Sequence, residues 1–200
     1  MREGQACDPR RLQHDDALLI VDLQRDFMPG GALAVPDGDA VIAPANACIE
    51  RFIAHGLPVY ASRDWHPEGH CSFAESGGPW PRHCIAGSAG AAFAEGLHLP
   101  PQTRLVSKGT TRESEAYSAF AGTDLHHQLR AGHVLRLFVA GVATEYCVES
   151  SVLDALALGY RVVVLADAIA AVEVQPGDGE RALARLRHAG AQIAHSGELH

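Results

Sequence analysis

The chain is short of several things, and each shortage excludes something. No apolar run approaches the roughly 20 residues of a membrane span, so no membrane partner is expected. Positive charge is scarce. Lys and Arg number 16 against 24 Asp and Glu, a formal charge of −8, and no basic run offsets it, which argues against a nucleic-acid partner. The opening segment MREGQACDPRRLQHDD has no apolar signal-peptide core, so export by that route is not expected. Five cysteines (Cys7, Cys48, Cys71, Cys84, Cys147) are odd in number and lack CxxC spacing. They read as reduced thiols of a cytoplasmic protein rather than a disulfide framework. There is no internal repeat and no low-complexity stretch.

What is present suits one domain. Two hundred residues at 47% hydrophobic and 20% charged can bury a core without metals or disulfides as staples. The first sixteen residues are polar and read as a loose leader, with a single domain over 17–200.

Short apolar runs at 17–22, 59–62, Arg104–Lys108, 133–141, 161–166 and 192–195 read as strands. Helical spacing marks 39–55, closed by Gly56, 144–158, closed by Gly159, and Asp178–Ala189, closed by Gly190. Strands alternating with helices predict an α/β fold of three layers, a mainly parallel sheet with helices on both faces. Residues 64–103 fit neither period. Loops that long inside a domain are usually functional, and the Trp, His and Cys gathered there argue against disorder. In such sheets the site lies at the carboxyl ends of the strands.

Several residues at those ends could do chemistry. Asp22 closes the first strand, where a partly desolvated carboxylate suits a general base; taken alone, such a residue is more often a helix cap or turn residue. Asp64 and His66 stand two apart, a spacing that can aim two metal ligands one way, and His83 follows in WPRHC. Three N/O ligands describe an open, catalytic kind of metal site. His70 is a reserve ligand or a supporting group. Lys108 ends the third strand, where a cation could hold a carboxylate and a thiolate ionised. Cys147 follows a strand ending at Gly141, with Thr144 as the expected N-cap of the next helix. That would place it in a first helical turn, where dipole and backbone N–H groups favour a thiolate. The alternative is a buried cysteine that only packs. Phe27 and Trp80 offer flat walls for a planar ring. Cys71 and Cys84 could be spare ligands or a labile disulfide, but packing is the ordinary role.

Together these segments resemble the nicotinamidase/pyrazinamidase branch of the isochorismatase-like cysteine hydrolases. The motifs are IVDLQRDFMPGGALAV, SRDWHPEGHCSF, WPRHC, SKGTTRESEAYSAF and VAGVATEYCVESSVLDALALGY, in order over about 17–171. The resemblance implies a catalytic triad of Asp22, Lys108 and Cys147, and an oxyanion hole from the backbone N–H groups of Ala143 and Cys147. It also implies a cis peptide at Val142–Ala143, ring-binding Phe27 and Trp80, and metal ligands Asp64, His66 and His83, with His70 variable. The ion would be divalent, zinc first, with iron or manganese also fitting. The expected substrate is nicotinamide, with pyrazinamide as a side substrate, in the service of NAD salvage. Assembly into a homo-oligomer is left open. One departure stands out: many members carry Asp after the Thr of the cysteine motif, where this chain has Glu145. The rivals are a sibling amidase for a carbamoyl or ureido compound, which would not need the metal set, and a noncatalytic metal-binding or redox protein.

Overall fold

Six of the apolar runs become strands of one parallel sheet: β1 Asp16–Val21, β2 Val59–Asp64, β3 Arg104–Lys108, β4 Arg136–Val142, β5 Arg161–Ala170 and β6 Gln192–Ala194. Their spatial order is β3-β2-β1-β4-β5-β6. The computed structural model describes residue 8 and residues 10–200. The helices are α1 Ile42–Ala54, α2 Leu125–Ala131, α3 Glu149–Ala157 and α4 Asp178–Ala189. Among the described residues no helix is long and apolar enough to cross a membrane.

The layering follows from the period-2 alternation of side chains along a strand. On β1, Leu18 and Ile20 face a core shared with Ala45, Cys48, Ile49 and Phe52 of α1. Ala17, Leu19 and Val21 face the opposite core, with Leu125 and Leu129 of α2, Val152 and Ala155 of α3, and Leu186 of α4. A strand covered on both sides favours apolar residues: all six residues of β1 are buried, and the single charged one, Asp16 at its start, is paired with Arg136.

The functional consequence lies in the strand order. From β1 the chain winds outward through β2 to β3, then returns to place β4 on the other side of β1. A crevice opens at the carboxyl ends where the winding reverses. Val21 and Gly141 are register partners there. Gly141 has φ 131, and a Cβ on it would run into the backbone of Val21. Only glycine lets the two strand ends approach so closely.

Several boundaries differ from the expected ones. Helix α2 has only Leu125 and Leu129 as buried positions, too few for a periodic signal. β4 starts at Arg136 rather than 133, because His133 adopts φ 55 in the turn that closes α2. β5 runs on to Ala170 because a bulge shifts its pairing: Val139 faces Val164, but Gly141 faces Ile169. The expected loose leader is fastened along part of its length. Leu12 N–H donates to the His200 carbonyl at 2.8 Å, and His200 N–H to that of Arg10 at 2.9 Å. Asp16 belongs to β1, fully buried, and takes two bonds of 2.6 Å from Arg136. Residues 1–7 and 9, including Cys7, lie outside the described residues.

Candidate active site

Four strand ends deliver the chemistry. Asp22 follows β1 in a left-handed conformation, φ 49. Asp64 ends β2 and Lys108 ends β3. After β4 comes a cis peptide at Val142–Ala143, then a π-helical turn, Thr144–Val148, that carries Cys147. Thr144 does not cap that turn. Ala143 holds the cap position and no side chain bonds there. The uncapped wide turn replaces the regular first helical turn expected from the sequence.

The structure brings Asp22, Lys108 and Cys147 into contact. Lys108 Nζ lies 2.9 Å from Asp22 Oδ2 and 3.4 Å from Cys147 Sγ. It also donates to the Ala116 carbonyl at 3.0 Å and to Asp64 Oδ1. An ammonium has three hydrogens. Four acceptors compete for them, and Asp22 Oδ2 is held mainly as an ion pair. The Asp22 carboxylate also lies in reach of the Cys147 thiol. Asp22 Oδ1 is fixed by Ser62 Oγ at 2.7 Å. Gln24, also buried, brackets the Asp64 backbone: its Oε1 accepts Asp64 N–H at 2.7 Å and its Nε2 donates to the Asp64 carbonyl at 2.8 Å.

Burial sets the protonation pattern. Complete burial pushes the Asp22 carboxyl up, against the pull of Lys108. Burial also pushes the Cys147 thiol well up, with Asp22 and Asp64 adding to it and Lys108 opposing. That direction runs against the dipole-stabilised thiolate expected from the sequence and leaves a carboxylate close to the sulfur to take its proton. Burial alone would lower Lys108, but the Asp22 and Asp64 carboxylates hold it well above the ordinary lysine range.

Asp64, His66 and His83 each present one donor atom within 4.8 Å of the other two. His66 Nδ1 lies 3.0 Å from the Gly109 carbonyl and His83 Nδ1 lies 2.8 Å from that of Pro81. A carbonyl only accepts, so each ring turns an Nδ1–H to it and its Nε2 towards the donor set. Burial would lower the pKa of His66, but Asp64, 3.6 Å from its Nε2, and the Gly109 carbonyl raise it. Gly109 is required for this, since a Cβ there would come within 2.5 Å of the His66 ring. Burial lowers the pKa of His83 and keeps it neutral, as a ligand must be. One carboxylate and two oriented imidazoles fit a divalent ion. His70 stands apart from this set. Its Nδ1 lies 2.7 Å from Ser72 Oγ and its Nε2 lies 3.1 Å from the Ser114 carbonyl, so neither nitrogen is left for an ion. The ring stacks on His66 at 4.1 Å. Cys71 and Cys84 are free thiols, not a disulfide.

Beside the sulfur lies a pocket lined by Phe27, Trp80, Asp64, His83, Ala143 and Cys147. Leu33, Val35, Glu115, Tyr117, Tyr146 and Val172 complete the wall, and sequence reasoning had assigned none of them. Tyr146 could have been noticed, since it adjoins Cys147. Trp80 Nε1 donates to Tyr117 Oη at 3.0 Å and packs edge-on against Tyr146 at 5.2 Å, so the two tyrosines fix the indole. The arrangement can hold a flat, mostly apolar ring, present a carbonyl to a sulfur and receive a proton on a carboxylate.

The family described as isochorismatase domain matches residues 16–198. The nicotinamidase of Escherichia coli (strain K12) is 40% identical over 198 residues, 88% of this chain and 93% of that protein. Among solved structures, the pyrazinamidase of Pyrococcus horikoshii in complex with zinc superposes with a TM-score of 0.87 at 49% identity, covering 90% of this chain and 99% of that one. PnC1 from L. infantum in complex with nicotinate gives 0.85 at 38%, covering 94% and 96%.

Proposed function

We infer that this chain, which belongs to the isochorismatase domain family, is a nicotinamidase that hydrolyses nicotinamide to nicotinate and ammonia. Pyrazinamide, with a similar flat ring, is a further substrate. The observation that carries the reading is the meeting of Asp22, Lys108 and Cys147 beside the Asp64–His66–His83 donor set. A sibling amidase for carbamoyl compounds would have no use for that donor set. A metal store would have no use for a lysine and a carboxylate on the cysteine.

The proposed chemistry is covalent. Phe27 and Trp80 hold the ring, so that attack becomes an oriented, effectively intramolecular step. Asp22 takes the thiol proton. The sulfur bonds to the amide carbon, and the oxygen that gains the electron pair is received by the backbone N–H groups of Ala143 and Cys147. When the carbon–nitrogen bond breaks, Asp22 returns the proton and ammonia leaves. Water then attacks the thioester, passing its proton to Asp22. The carbon–sulfur bond breaks, nicotinate departs, and the thiol regains its proton. Lys108 keeps its charge throughout and steadies Asp22 in each anionic stage.

Asp64, His66 and His83 would hold the ion, and zinc suits one carboxylate with two imidazoles, as iron or manganese also would. When bound, the ion supplies a Lewis acid for the ring nitrogen of the substrate. The four free thiols among the described residues fit a reducing compartment, and a cytoplasmic location is proposed on that ground.

The test is ammonia release from nicotinamide by metal-loaded wild type, by Cys147→Ala and by chelated protein. Turnover in the first alone supports the assignment. No release from loaded wild type would end it.

A further inference from the structure

We propose that Glu145 is a positioning residue that sets the width of the ring pocket, by fastening the Val172 wall to the turn that bears the nucleophile. The substrate in this proposal rests on the nicotinamidase reading; the fastening rests on geometry alone.

Glu145 lies two residues before Cys147 in the π-helical turn Thr144–Val148. Its Oε1 accepts the backbone N–H groups of Val172 and Glu173, each at 2.9 Å. These are consecutive residues of the irregular segment between β5 and α4, and Val172 lines the pocket beside Tyr146 and Cys147. Glu145 Oε2 is buried without a hydrogen-bond partner. Further along, Glu173 turns through φ 57. Its carboxylate accepts the N–H groups of Gly177 at 2.5 Å and Gly179 at 3.0 Å, at the start of α4. One carboxylate therefore ties the segment to the pocket and a second ties it to the helix.

Cys147 has its own anchors. Its sulfur is held by Lys108, and its carbonyl accepts from Ser151 Oγ at 2.6 Å. Releasing Glu145 would thus free the Val172 wall while leaving the sulfur in place. Ring binding and ring selection should change while the chemical step does not.

The experiment compares metal-loaded wild type, Glu145→Ala, Glu145→Gln and Val172→Ala on nicotinamide and 5-methylnicotinamide. Glu145→Ala should raise KM for nicotinamide about fivefold with kcat within about twofold. It should also narrow the preference for nicotinamide over its methyl derivative by about tenfold, the scale on which one extra carbon is discriminated. Glu145→Gln keeps an oxygen at the same reach and should restore most of both. Val172→Ala should raise KM and relax the preference in the same direction, and combining it with Glu145→Ala should add little, since the two act on one wall. Should the alanine variant not fold, Glu145→Asp, one methylene shorter, takes its place with the same expectations. Amide hydrogen exchange should quicken at Val172 and Glu173 and stay unchanged at Cys147. A fall in kcat with KM unmoved, an unaltered substrate preference, or unchanged exchange at 172 and 173 would each overturn the proposal. Absence of ammonia from wild type would count against the nicotinamidase reading instead, and the exchange measurement would still decide the fastening.

Discussion

Replacing Asp22 by Asn tests the proton path most directly. The substitution keeps the shape of the side chain and one oxygen for Ser62 Oγ to bond, but removes the charge 2.9 Å from Lys108 Nζ. At an effective dielectric of about 20, that contact carries about 6 kcal/mol of gross attraction. Against it stands the penalty of holding the carboxylate dry, several kcal/mol per buried ion. The two largely offset, and Lys108 keeps Asp64 and the Ala116 carbonyl as partners, so stability in urea should change by no more than about 2 kcal/mol. Activity should behave otherwise. An amide cannot take the thiol proton, and burial holds that proton firmly on Cys147. Loss of the base should lower kcat/KM by about 10³-fold or more, within the usual range for general-base removal. The pH profile carries the sign. The working form of Asp22 is the carboxylate, and burial raises its pKa, so wild-type kcat/KM should climb with rising pH through a value above the ordinary carboxylate range. Below that value it should be lost. In Asp22→Asn that acid limb should vanish from the residual activity. The assay is ammonia release between acid and neutral pH, alongside urea unfolding of both proteins. A variant retaining more than about a tenth of wild-type kcat/KM, or an acid limb unmoved by the substitution, would refute the proton path.

Phe52 is fully buried and meets Phe138 edge-on at 5.3 Å; Phe52→Ala should cost about 3–5 kcal/mol in urea unfolding, and a cost under about 1 kcal/mol would mean that the α1 core is looser than described. Arg136 holds Asp16 through two bonds of 2.6 Å in a dry site, so Arg136→Met should destabilise the fold by about 3–5 kcal/mol, read from the shift in denaturation midpoint; no shift would show that the pair is solvated. His83→Ala should abolish tight metal binding, whereas His70→Ala should weaken it about tenfold through the stacked His66, as measured by competition with a chromophoric chelator. Equal losses in the two variants would make His70 a ligand.

The chain wrote its layers plainly. Unbroken apolar runs such as the one around Leu18–Ile20, alternating with helical spacing closed by Gly56, Gly159 and Gly190, admit little other than a parallel sheet between helices, because a strand covered on both faces has few polar positions to offer. The chemistry-bearing residues were visible for a related reason. Asp22, Asp64, Lys108 and Cys147 stand at or just past the ends of such runs, where a polar group has no packing role to explain it.

Whatever depended on contacts between distant segments was settled only by the fold. α2 has two buried leucines and becomes a helix because the sheet supplies a surface for them. Thr144 has the chemistry of an N-cap, but the turn it enters is wider than a helix and makes no use of it. Nothing local distinguishes His70 from His66; the carbonyls of Ser114 and Gly109, more than forty residues along the chain, decide which ring has a nitrogen left for an ion. The same holds for the reach of Glu145 to Val172, and for the upward push on the Cys147 thiol, where burial by the whole structure outweighs the nearby ammonium. Residue type and spacing determine what a side chain can do. Its solvent exposure and its partners, which set its proton and its direction, exist only once the layers have closed around it.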